Sequence, residues 1–369
     1  MKKIKIGFVG VGDISKIYLK NITEMFSEIE IAGVCDLVRE KAENAAKKYN
    51  IPKIYNDMYE LFADDEVDIV LNITRPYEHF EVTKAALEAG KHVYSEKPLA
   101  STFEKGGILK KLAQEKGLYL GGAPDTFLGA GIQTCRKLIE DGFIGTPVGA
   151  AAHMICHGHE SWHPDPEFYY KHGGGPMMDM GPYYITALVN LLGPIETVTG
   201  ITKTTFPKRT ITSEPQNGKV IDVDVPTYVT GIMQFKSGAV GTIFTTFDAY
   251  PGEYECIEIY GSEGTLLVPD PNGFGDAGIR VIRPDSKETQ EVSPEFNYKE
   301  NCRALGLADM AKAISKNRKH RANSDLTYHV LEVLTSFERS SIDKKHIKIN
   351  SNFEQTPKMR TDLEIGILD

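Results

Sequence analysis

The side chains best suited to chemistry in this chain are a lysine in one segment and a carboxylate and a phenol in another. Lys97 stands directly after a predicted strand, between Glu96 and Pro98. Ligands of open α/β sheets bind outside the carboxyl ends of the strands, so a cation held there is placed to act on a ligand. Asp179 and Tyr183 follow three glycines at 173–175. A positioned base and a cation are what an alcohol needs as it loses a proton and hydride.

Asp179 and Tyr183 also have simpler structural interpretations. Taken singly, Asp179 is more readily explained as a helix N-cap, and Tyr183 as a core tyrosine. Their spacing of four residues places both on one face if a helix has begun by then. The glycine run lets the backbone approach a ligand closely. The pattern therefore indicates a pocket wall, and Lys97 supplies its opposite charge.

The elements that must position these residues alternate between strands and helices at the start of the chain. Strands are predicted at 3–9, 29–35, 67–73, 92–95 and 118–121, and helices at 14–25, 39–49, 79–89 and 102–116. This alternation predicts right-handed βαβ units and a doubly wound parallel sheet over residues 1–124.

The pattern changes after Pro124, so a second domain is predicted over residues 125–369. A helix at 131–140 and a strand at 147–155 precede a helix that runs from the glycine loop to about residue 192. Strands then dominate, at 195–203, 227–235, 240–247, 255–260 and 265–268, and two helices follow at 302–316 and 325–340. Runs of strands with few helices predict a large, mostly antiparallel sheet. Residues 206–224 are predicted to be a polar surface excursion.

The turn after the first strand predicts a dinucleotide site. Gly10 and Gly12 with Ser15 in the third place match the phosphate-binding fingerprint, and the match lies between a strand and a helix. Asp36 ends the next strand, where an acid binds the ribose 2′-hydroxyl. The alternative is an ordinary βα turn with a capping Asp36. Asp36 would repel a 2′-phosphate, so NAD is favoured over NADP, although Arg39 lies nearby.

Composition excludes several classes of protein. The formal net charge is −9 and there is no basic stripe, which argues against a nucleic-acid partner. The five cysteines form no CxxC pair, which argues for a reducing compartment and against a disulfide frame or a cysteine zinc site. No stretch has the length of a membrane span. A cytoplasmic protein without a membrane partner is predicted.

The combination of these motifs resembles the Gfo/Idh/MocA oxidoreductases, the family of glucose–fructose oxidoreductase and inositol dehydrogenase. Gly10-x-Gly12, the segment at 92–98 ending in Glu-Lys-Pro, and the segment at 173–183 occur in the family's order and spacing. The resemblance covers nearly the whole chain. It implies a Rossmann domain and a C-terminal α/β domain whose open sheet forms a homodimer or homotetramer. It also implies NAD(P)-dependent oxidation of a sugar or cyclitol hydroxyl, with Lys97 and Asp179 in the pocket.

The chain departs from the family pattern at two positions. Tyr183 stands where many members have histidine, and Thr186 stands where many have aspartate. An unperturbed tyrosine has a pKa of about 10, against about 6.5 for histidine. Tyr183 serves as base only if a cation such as Lys97 lowers its pKa. Otherwise it orients the substrate, and Lys97 or a water chain moves the proton. Glucose–fructose oxidoreductase resembles this chain in having tyrosine there.

A second cluster joins His157, His159, Trp162 and His163, just before the triple glycine. It is favoured as a substrate wall, with Trp162 stacked on a sugar ring. A structural loop is the next alternative and a metal site beside Glu160 the last, so no metal is predicted. Asp125, at the domain junction, either reaches the pocket or belongs to a hinge.

The predicted site therefore has three overlapping parts. Lys97, Asp179 and Tyr183 form the predicted reaction centre. The predicted cofactor-binding residues are Gly10, Gly12, Asp13, Ile14, Asp36, Arg39, Thr74, His79, Glu96 and Lys97. The predicted substrate-binding residues are Lys97, Asp125, His159, Trp162, His163, Asp179 and Tyr183.

The leading hypothesis is an NAD-dependent dehydrogenase that takes hydride from a secondary hydroxyl of a sugar, glycoside or cyclitol. The alternative enzyme is an NAD-dependent glycosidase that oxidises the sugar transiently and eliminates the aglycone. A non-catalytic cofactor-binding regulator is a third hypothesis, and the presence of Lys97 with Asp179 argues against it.

Overall fold

The computed structural model describes residues 3–275, 278–284, 286 and 288–369. The chain divides into two compact units. Unit 1 comprises Met1–Ala130, Glu295–Tyr328 and Thr356–Asp369, and unit 2 comprises Gly131–Pro294 and His329–Gln355. The domain boundary predicted at residue 124 stays a prediction. Two later segments of the chain, Glu295–Tyr328 and Thr356–Asp369, also belong to unit 1.

The helices and strands follow the chain in this order. The helices are α1 (Ser15–Glu24), α2 (Arg39–Tyr49), α3 (Met58–Ala63), α4 (His79–Glu88), α5 (Phe103–Lys116), α6 (Ala130–Glu140), α7 (Pro176–Asp179), α8 (Gly181–Leu192), α9 (Leu305–Lys316) and α10 (Ser324–Asp343). The first strands are β1 (Ile4–Val9), β2 (Ile29–Cys35), β3 (Ile69–Asn72), β4 (His92–Ser95), β5 (Leu120–Gly122), β6 (Pro147–Ile155), β7 (Ile195–Lys203) and β8 (Lys208–Thr210). The remaining strands are β9 (Val220–Asp222), β10 (Tyr228–Phe235), β11 (Val240–Thr246), β12 (Ile257–Gly261), β13 (Thr265–Val268), β14 (Ile279–Ile282), β15 (Gln290–Val292) and β16 (Ile347–Lys348).

Unit 1 contains the predicted parallel sheet. Its five strands lie in the order β2-β1-β3-β4-β5, and every pair is parallel. The central strand β3 is buried along its whole length, as its continuous apolar run predicts. The carboxyl ends of β1, β2, β3 and β4 carry the predicted cofactor residues and Lys97. The predicted doubly wound architecture is confirmed.

Unit 2 contains the predicted large sheet. Nine strands lie in the order β15-β14-β13-β12-β6-β11-β10-β7-β16. Every neighbouring pair is antiparallel except β6 with β11, which is parallel. The prediction of a mostly antiparallel sheet is therefore confirmed. On one face of this sheet the side chains, such as those of Val229 and Met233, are buried. Ile232, which lies between them on β10, points to the other face and is 51% exposed.

The helix after the glycine loop is two helices and not one, so the prediction of a single helix was wrong. Met180 separates α7 from α8, and Pro182 lies in the first turn of α8. A proline has no N–H to donate to the preceding turn, so the helix cannot continue through it unbroken. Asp179 consequently ends one helix, and Tyr183 lies in the first turn of the next.

Most residues of the stretch 206–224, which was predicted to be a polar surface excursion, are exposed, but the stretch is not a loop throughout. Strands β8 and β9 form an antiparallel hairpin within this stretch. Ile211 and Ile221 are fully buried, and Arg209 is only 7% exposed. The many polar residues concealed a short strand pair in which Ile211 and Ile221 point inward, while Phe206 and Val220 are 42% and 53% exposed.

No helix among the described residues is long and apolar enough to cross a membrane.

The late segments of unit 1 are fastened to each other by a buried carboxylate. Asp309 on α9 is fully buried and bonds Arg318 and Arg321, each at 2.6 Å. Arg321 also pairs with Asp369 at 2.8 Å. A buried carboxylate shared by two guanidinium groups neutralises charges that burial would otherwise penalise.

We expect Asp309→Ala to lower the free energy of unfolding by about 3–5 kcal/mol, because it removes the fully buried carboxylate bonded to Arg321 and leaves that guanidinium with the partly exposed Asp369. Urea denaturation followed by circular dichroism measures the change. The matched control is Asp362→Ala, which breaks an ion pair with Arg360 that is exposed on both sides, and its midpoint should match the parent's. Equal changes in the free energy of unfolding of the two variants would contradict the stabilising role of buried Asp309.

Candidate active site

The cofactor loop begins at a glycine that no other residue can replace. Gly10 has φ of +97°, and an added Cβ would lie 2.7 Å from the carbonyl oxygen of Ile73. L-residues rarely adopt such a backbone angle. Gly12 is exposed, and an added Cβ there would meet nothing within 4 Å. The surface over Gly12 is therefore open to a ligand that approaches the backbone.

Helix α1 begins without a side-chain cap, and the N–H groups of Ser15 and Lys16 bond the carbonyls of Gly12 and Asp13 at 3.2 and 3.3 Å. Ile14 is the N-cap residue and makes no side-chain capping bond. Ser15 is turned back, since its Oγ donates to the carbonyl of Gly12 at 2.6 Å. Asp13 pairs with Lys16 at 2.7 Å on the surface. An uncapped helix N-terminus beside an open glycine fits the pyrophosphate of a dinucleotide.

Asp36 is fixed at the end of β2 by two backbone donors. Its Oδ2 accepts from Val11 N–H at 2.7 Å, and its Oδ1 accepts from Val38 N–H at 2.8 Å. Each carboxylate oxygen can accept a further hydrogen bond, so the group fits a ribose hydroxyl. Arg39 is engaged elsewhere, with Glu43 at 3.0 Å and Asn56 at 2.8 Å.

The turn that carries Lys97 is fixed by the carboxylate before it. Glu96 is 7% exposed; its Oε2 accepts from the N–H of Lys97 at 2.9 Å, and its Oε1 accepts from the hydroxyl of Tyr18 at 2.8 Å. Tyr18 lies on α1, so one buried carboxylate joins the cofactor helix to the lysine turn. Burial, and then the nearby Glu96, raise the pKa of Tyr18 well above its usual value, so Tyr18 stays a donor. Lys97 itself is half-buried, and its bond to Pro98 is cis.

His79 connects the loop after β3 to the same turn. Its ring is buried, with Nδ1 2.7 Å from the carbonyl of Pro98 and Nε2 3.0 Å from the carbonyl of Thr74. Burial lowers the pKa of His79, against the opposing effect of the two carbonyls. Thr74 is held in turn by Asn72, whose Oδ1 accepts from its hydroxyl at 2.7 Å. His79 therefore acts as a brace between two loops at the strand ends.

Asp125 is 1% exposed and accepts from the N–H of Gly306 at 3.0 Å. Burial raises the pKa of Asp125 to about 6. The structure thus gives Asp125 a place in the packing of α9 against the end of β5. Its contact with substrate stays a prediction.

In unit 2, the structure brings His159 next to Asp179. Nε2 of His159 lies 3.7 Å from Oδ2 of Asp179. Three aromatic rings surround the imidazole, which is 9% exposed: Tyr169 at 4.0 Å, Phe247 at 4.6 Å and Trp162 at 5.3 Å between ring centroids. We call these three rings and His159 the aromatic cluster.

Trp162 is the exposed edge of this cluster, with 60% of its surface accessible. His163 packs at right angles to Trp162, and its Nδ1 accepts from the N–H of Asp165 at 3.0 Å. His157 lies apart, stacked on Tyr250 at 3.9 Å. An exposed indole beside half-buried rings is a surface on which a sugar ring can stack. Among the described residues, no group of three or more potential metal ligands is present.

The loop that carries the aromatic cluster is held by a buried ion-pair network. Arg209 on β8 donates to Glu160 at 2.8 Å and also pairs with Asp248. Tyr170 donates to the same Glu160 at 2.6 Å and accepts from the backbone N–H of His159 at 3.2 Å. The β8–β9 hairpin thereby fixes the backbone on which His159 stands.

Tyr183 lies in the first turn of α8 and is 7% exposed. Its backbone N–H bonds the carbonyl of Met180 at 3.0 Å, which holds the turn that follows Asp179. Because the two residues belong to successive helices, the four-residue spacing does not place them on one continuous helical face.

Several residues that shape these two sites were missed by sequence reasoning. Tyr18, Arg209 and Phe247 lie far along the chain from the groups they contact, whereas Asn72 and Tyr169 lie within about ten residues of theirs. Only the run Phe168-Tyr169-Tyr170, an aromatic triplet just before the glycine loop, was a usable signal. The others became recognisable only once the strands and helices were paired.

Comparison with known families and proteins gives a consistent assignment. Residues 4–122 match the oxidoreductase family with an NAD-binding Rossmann fold, and residues 132–267 match the GFO/IDH/MocA C-terminal domain. The myo-inositol 2-dehydrogenase of Thermotoga maritima is 26% identical over 76% of this chain and 81% of its own length. The levoglucosan dehydrogenase of Pseudarthrobacter phenanthrenivorans is 25% identical over 72% of this chain and 74% of its own.

Solved structures show the same fold. An NAD-binding oxidoreductase from Klebsiella pneumoniae superposes with a TM-score of 0.82 at 22% identity, over 95% of this chain and all of its own. A levoglucosan dehydrogenase in complex with NADH and L-sorbose gives a TM-score of 0.80 at 21% identity, over 95% of this chain and 99% of its own. The chain belongs to the Gfo/Idh/MocA family and is an NAD-binding oxidoreductase.

Proposed function

We propose that this protein oxidises a secondary hydroxyl of a sugar, glycoside or cyclitol with NAD, and that Lys97, Asp179 and Tyr183 form its reaction centre. The observation that carries the proposal is the fixation of Lys97 beyond β4 by Glu96, which also bonds the helix of the cofactor loop. A lysine whose backbone is tied to the helix after the glycine loop is placed for chemistry beside a nicotinamide. Relatives named for inositol and levoglucosan support the substrate class.

The proposed roles follow from the chemistry of each side chain. Lys97 donates hydrogen bonds to the reacting hydroxyl and stabilises the negative charge that develops on its oxygen. Asp179 accepts from the substrate, and Tyr183 orients it. NAD supplies the hydride acceptor when bound.

The aromatic cluster gives the proposed substrate wall. Trp162 offers an apolar face for the C–H surface of a sugar ring, and His159 and His163 line its base. Polyhydroxylated rings are bound in proteins by such a mixture of aromatic faces and a few polar groups. Asp125 remains in the proposed substrate set by sequence pattern alone.

The proposed cofactor contacts divide by chemical group. The open backbone at Gly10, Gly12, Asp13 and Ile14 binds the pyrophosphate, and Asp36 binds the adenosine ribose. Thr74, His79, Glu96 and Lys97 line the nicotinamide end of the sheet edge. Arg39 is held on α2 by Glu43, so it leaves Asp36 to determine the preference for NAD.

We also propose that the exposed face of the unit 2 sheet forms a homodimer or homotetramer. Ile201, Ile232 and Val240 are each at least half exposed, at 67%, 51% and 50%. Ile201 lies opposite Thr230 and Val240 lies opposite Gln234. Thr230 and Gln234 are each two residues from Ile232 on β10, so all three apolar side chains share one face. Exposed apolar patches on sheets mark contact surfaces.

Lys97→Ala should abolish oxidation while NAD binding persists, because the N–H that bonds Glu96 belongs to the backbone and survives the change. A screen of sugars, cyclitols and glycosides with NAD, followed at the absorbance of NADH, identifies the substrate for this comparison. We expect a loss of about 10³-fold or more in kcat, since a charge-stabilising donor is removed. Lys105→Ala on α5 is the control and should keep parent activity. Aglycone release from glycosides without net NADH would favour the glycosidase alternative.

Asp36→Ala should weaken NAD binding and relax the discrimination against NADP. The expected loss of NAD affinity is about tenfold to a hundredfold, as for a charge-assisted hydrogen bond of about 1.5–3 kcal/mol. Isothermal titration of both cofactors measures the two effects together. Unchanged affinities for NAD and NADP would remove Asp36 from the ribose.

Ile232→Lys should dissociate the proposed oligomer without unfolding the subunit, because a charge on the sheet face opposes its burial in an interface. Sedimentation velocity measures the mass. The control is Ile108→Lys on α5, a residue 48% exposed in unit 1. A monomeric parent protein would overturn the proposal.

A further inference from the structure

We propose that His159 is the residue that finally holds the proton lost by the substrate, and that it receives this proton through Asp179. The inference rests on the proposed function, because it assigns the destination of the proton in that reaction. His159 would then be a positioning and proton-holding residue behind Asp179, with no contact to the reacting carbon.

The first observation is that the imidazole of His159 is surrounded by aromatic rings and makes no hydrogen bond through either ring nitrogen to the described residues. His159 is 9% exposed, and neither ring nitrogen has a hydrogen-bond partner in the part of the chain that the structure describes. Buried polar atoms in proteins are almost always bonded, so such a ring needs an explanation. Oδ2 of Asp179 lies 3.7 Å from Nε2, about 0.7 Å beyond a normal hydrogen bond of ~3.0 Å. A shift of Asp179 toward His159 by this distance would form a hydrogen bond between Oδ2 and Nε2.

The second observation is that the ring is held in place. The backbone N–H of His159 bonds the hydroxyl of Tyr170, which bonds Glu160 in turn. The carbonyl of Glu160 accepts from the N–H groups of Thr212 and Ser213, at 2.9 and 3.0 Å. A backbone fixed at these points, with rings packed on the imidazole, keeps Nε2 directed at Asp179.

The charges around the ring favour Asp179 as its partner. The titratable and charged groups packed near it are Glu160 and His163 on its own loop, Tyr169 and Tyr170, Arg209 on β8, and Asp179 on α7. Glu160 is already neutralised by Arg209 at 2.8 Å. Burial and the bond to Glu160 raise the pKa of Tyr170, which therefore stays neutral. Asp179 is the carboxylate nearest to a ring nitrogen.

The basicity of the two groups decides which of them keeps the proton. An imidazole is a stronger base than a carboxylate, so a proton that reaches Asp179 passes on to the imidazole. A carboxylate at ion-pair distance stabilises the imidazolium that results. The electron-rich faces of Tyr169 and Phe247 also favour a cation.

The proposed step balances as follows. The hydroxyl O–H bond breaks and its proton goes to the carboxylate of Asp179; Asp179 then passes this one proton to the unprotonated Nε2 of His159 and becomes a carboxylate again. The carbon-bound hydrogen leaves with two electrons as hydride to the nicotinamide. The alcohol becomes a ketone, the cofactor is reduced, and His159 becomes imidazolium. Neutral Tyr183 is not required to ionise.

The first test needs no substrate. We would follow the Hε1 resonances of the histidines by NMR as pH is varied, and identify His159 by the signal that His159→Gln removes. In Asp179→Asn, the midpoint of His159 should fall by about one pH unit, since the stabilising carboxylate is lost. An unchanged midpoint would overturn the relay. His159→Phe, which preserves the aromatic packing, gives the same identification if the Gln variant does not fold.

The second test is the pH profile of kcat/KM. His159 must be neutral to accept, so the rate of oxidation should fall below its pKa and reach a plateau above it. His159→Gln should remove this inflection and lower the rate at pH 7 by about 100-fold, a typical effect of a lost proton acceptor. His153→Gln is the control, on β6 with its ring on the carbonyl of Glu255 at 3.2 Å, and should retain the parent profile. A retained inflection in His159→Gln would overturn the proposal.

The two proposals fail in different ways. If no sugar, glycoside or cyclitol yields NADH, the proposed function fails and the relay fails with it. If a substrate is found and Lys97→Ala is inactive, but the midpoint of His159 ignores Asp179, the function stands and the relay alone is wrong.

Discussion

The buried carboxylate of Glu96 is the constraint on which the chemistry of unit 1 depends. It accepts one hydrogen bond from Tyr18 on the cofactor helix and one from the backbone of Lys97. A buried anion that is bonded at both oxygens is costly to move, because any displacement leaves a charge without partners. The spacing between the glycine loop and the lysine is thereby set by one residue, and His79 braces the same turn from its other side.

Unit 2 is organised around a second buried charge. Arg209 neutralises Glu160 and Asp248, and it lies over the ring of Tyr170 at 5.3 Å. The hairpin that supplies Arg209 looked like a solvated loop because most of its residues are polar. Its structural role comes from three inward side chains, and through Glu160 it fixes the loop that presents Trp162 and His159.

Sequence was a good guide wherever local rules decide the structure. Strands β2, β4, β6, β7 and β13 and helix α2 have the bounds that apolar patterning and turn residues predicted, and the Rossmann sheet followed from the βαβ alternation. Gly10, Asp36 and Lys97 were recognisable because a fingerprint ties residue type to strand end. Sequence failed where long-range partners decide. The bond from Tyr18 to Glu96 joins residues 78 apart, and the pair of Arg209 with Glu160 joins residues 49 apart.

The histidine cluster shows why spacing alone could not assign roles within the site. His157, His159 and His163 alternate along one short segment, yet His157 is stacked on the exposed ring of Tyr250 and the Nδ1 of His163 accepts from its own loop. The ring of His159 packs against Tyr169, and its Nε2 lies 3.7 Å from Oδ2 of Asp179. A carboxylate at this distance stabilises an imidazolium, which is the basis for the role proposed for His159. With Tyr183 in place of the family's usual histidine, a group able to hold a proton near neutral pH is still present in unit 2, on a loop instead of on α8.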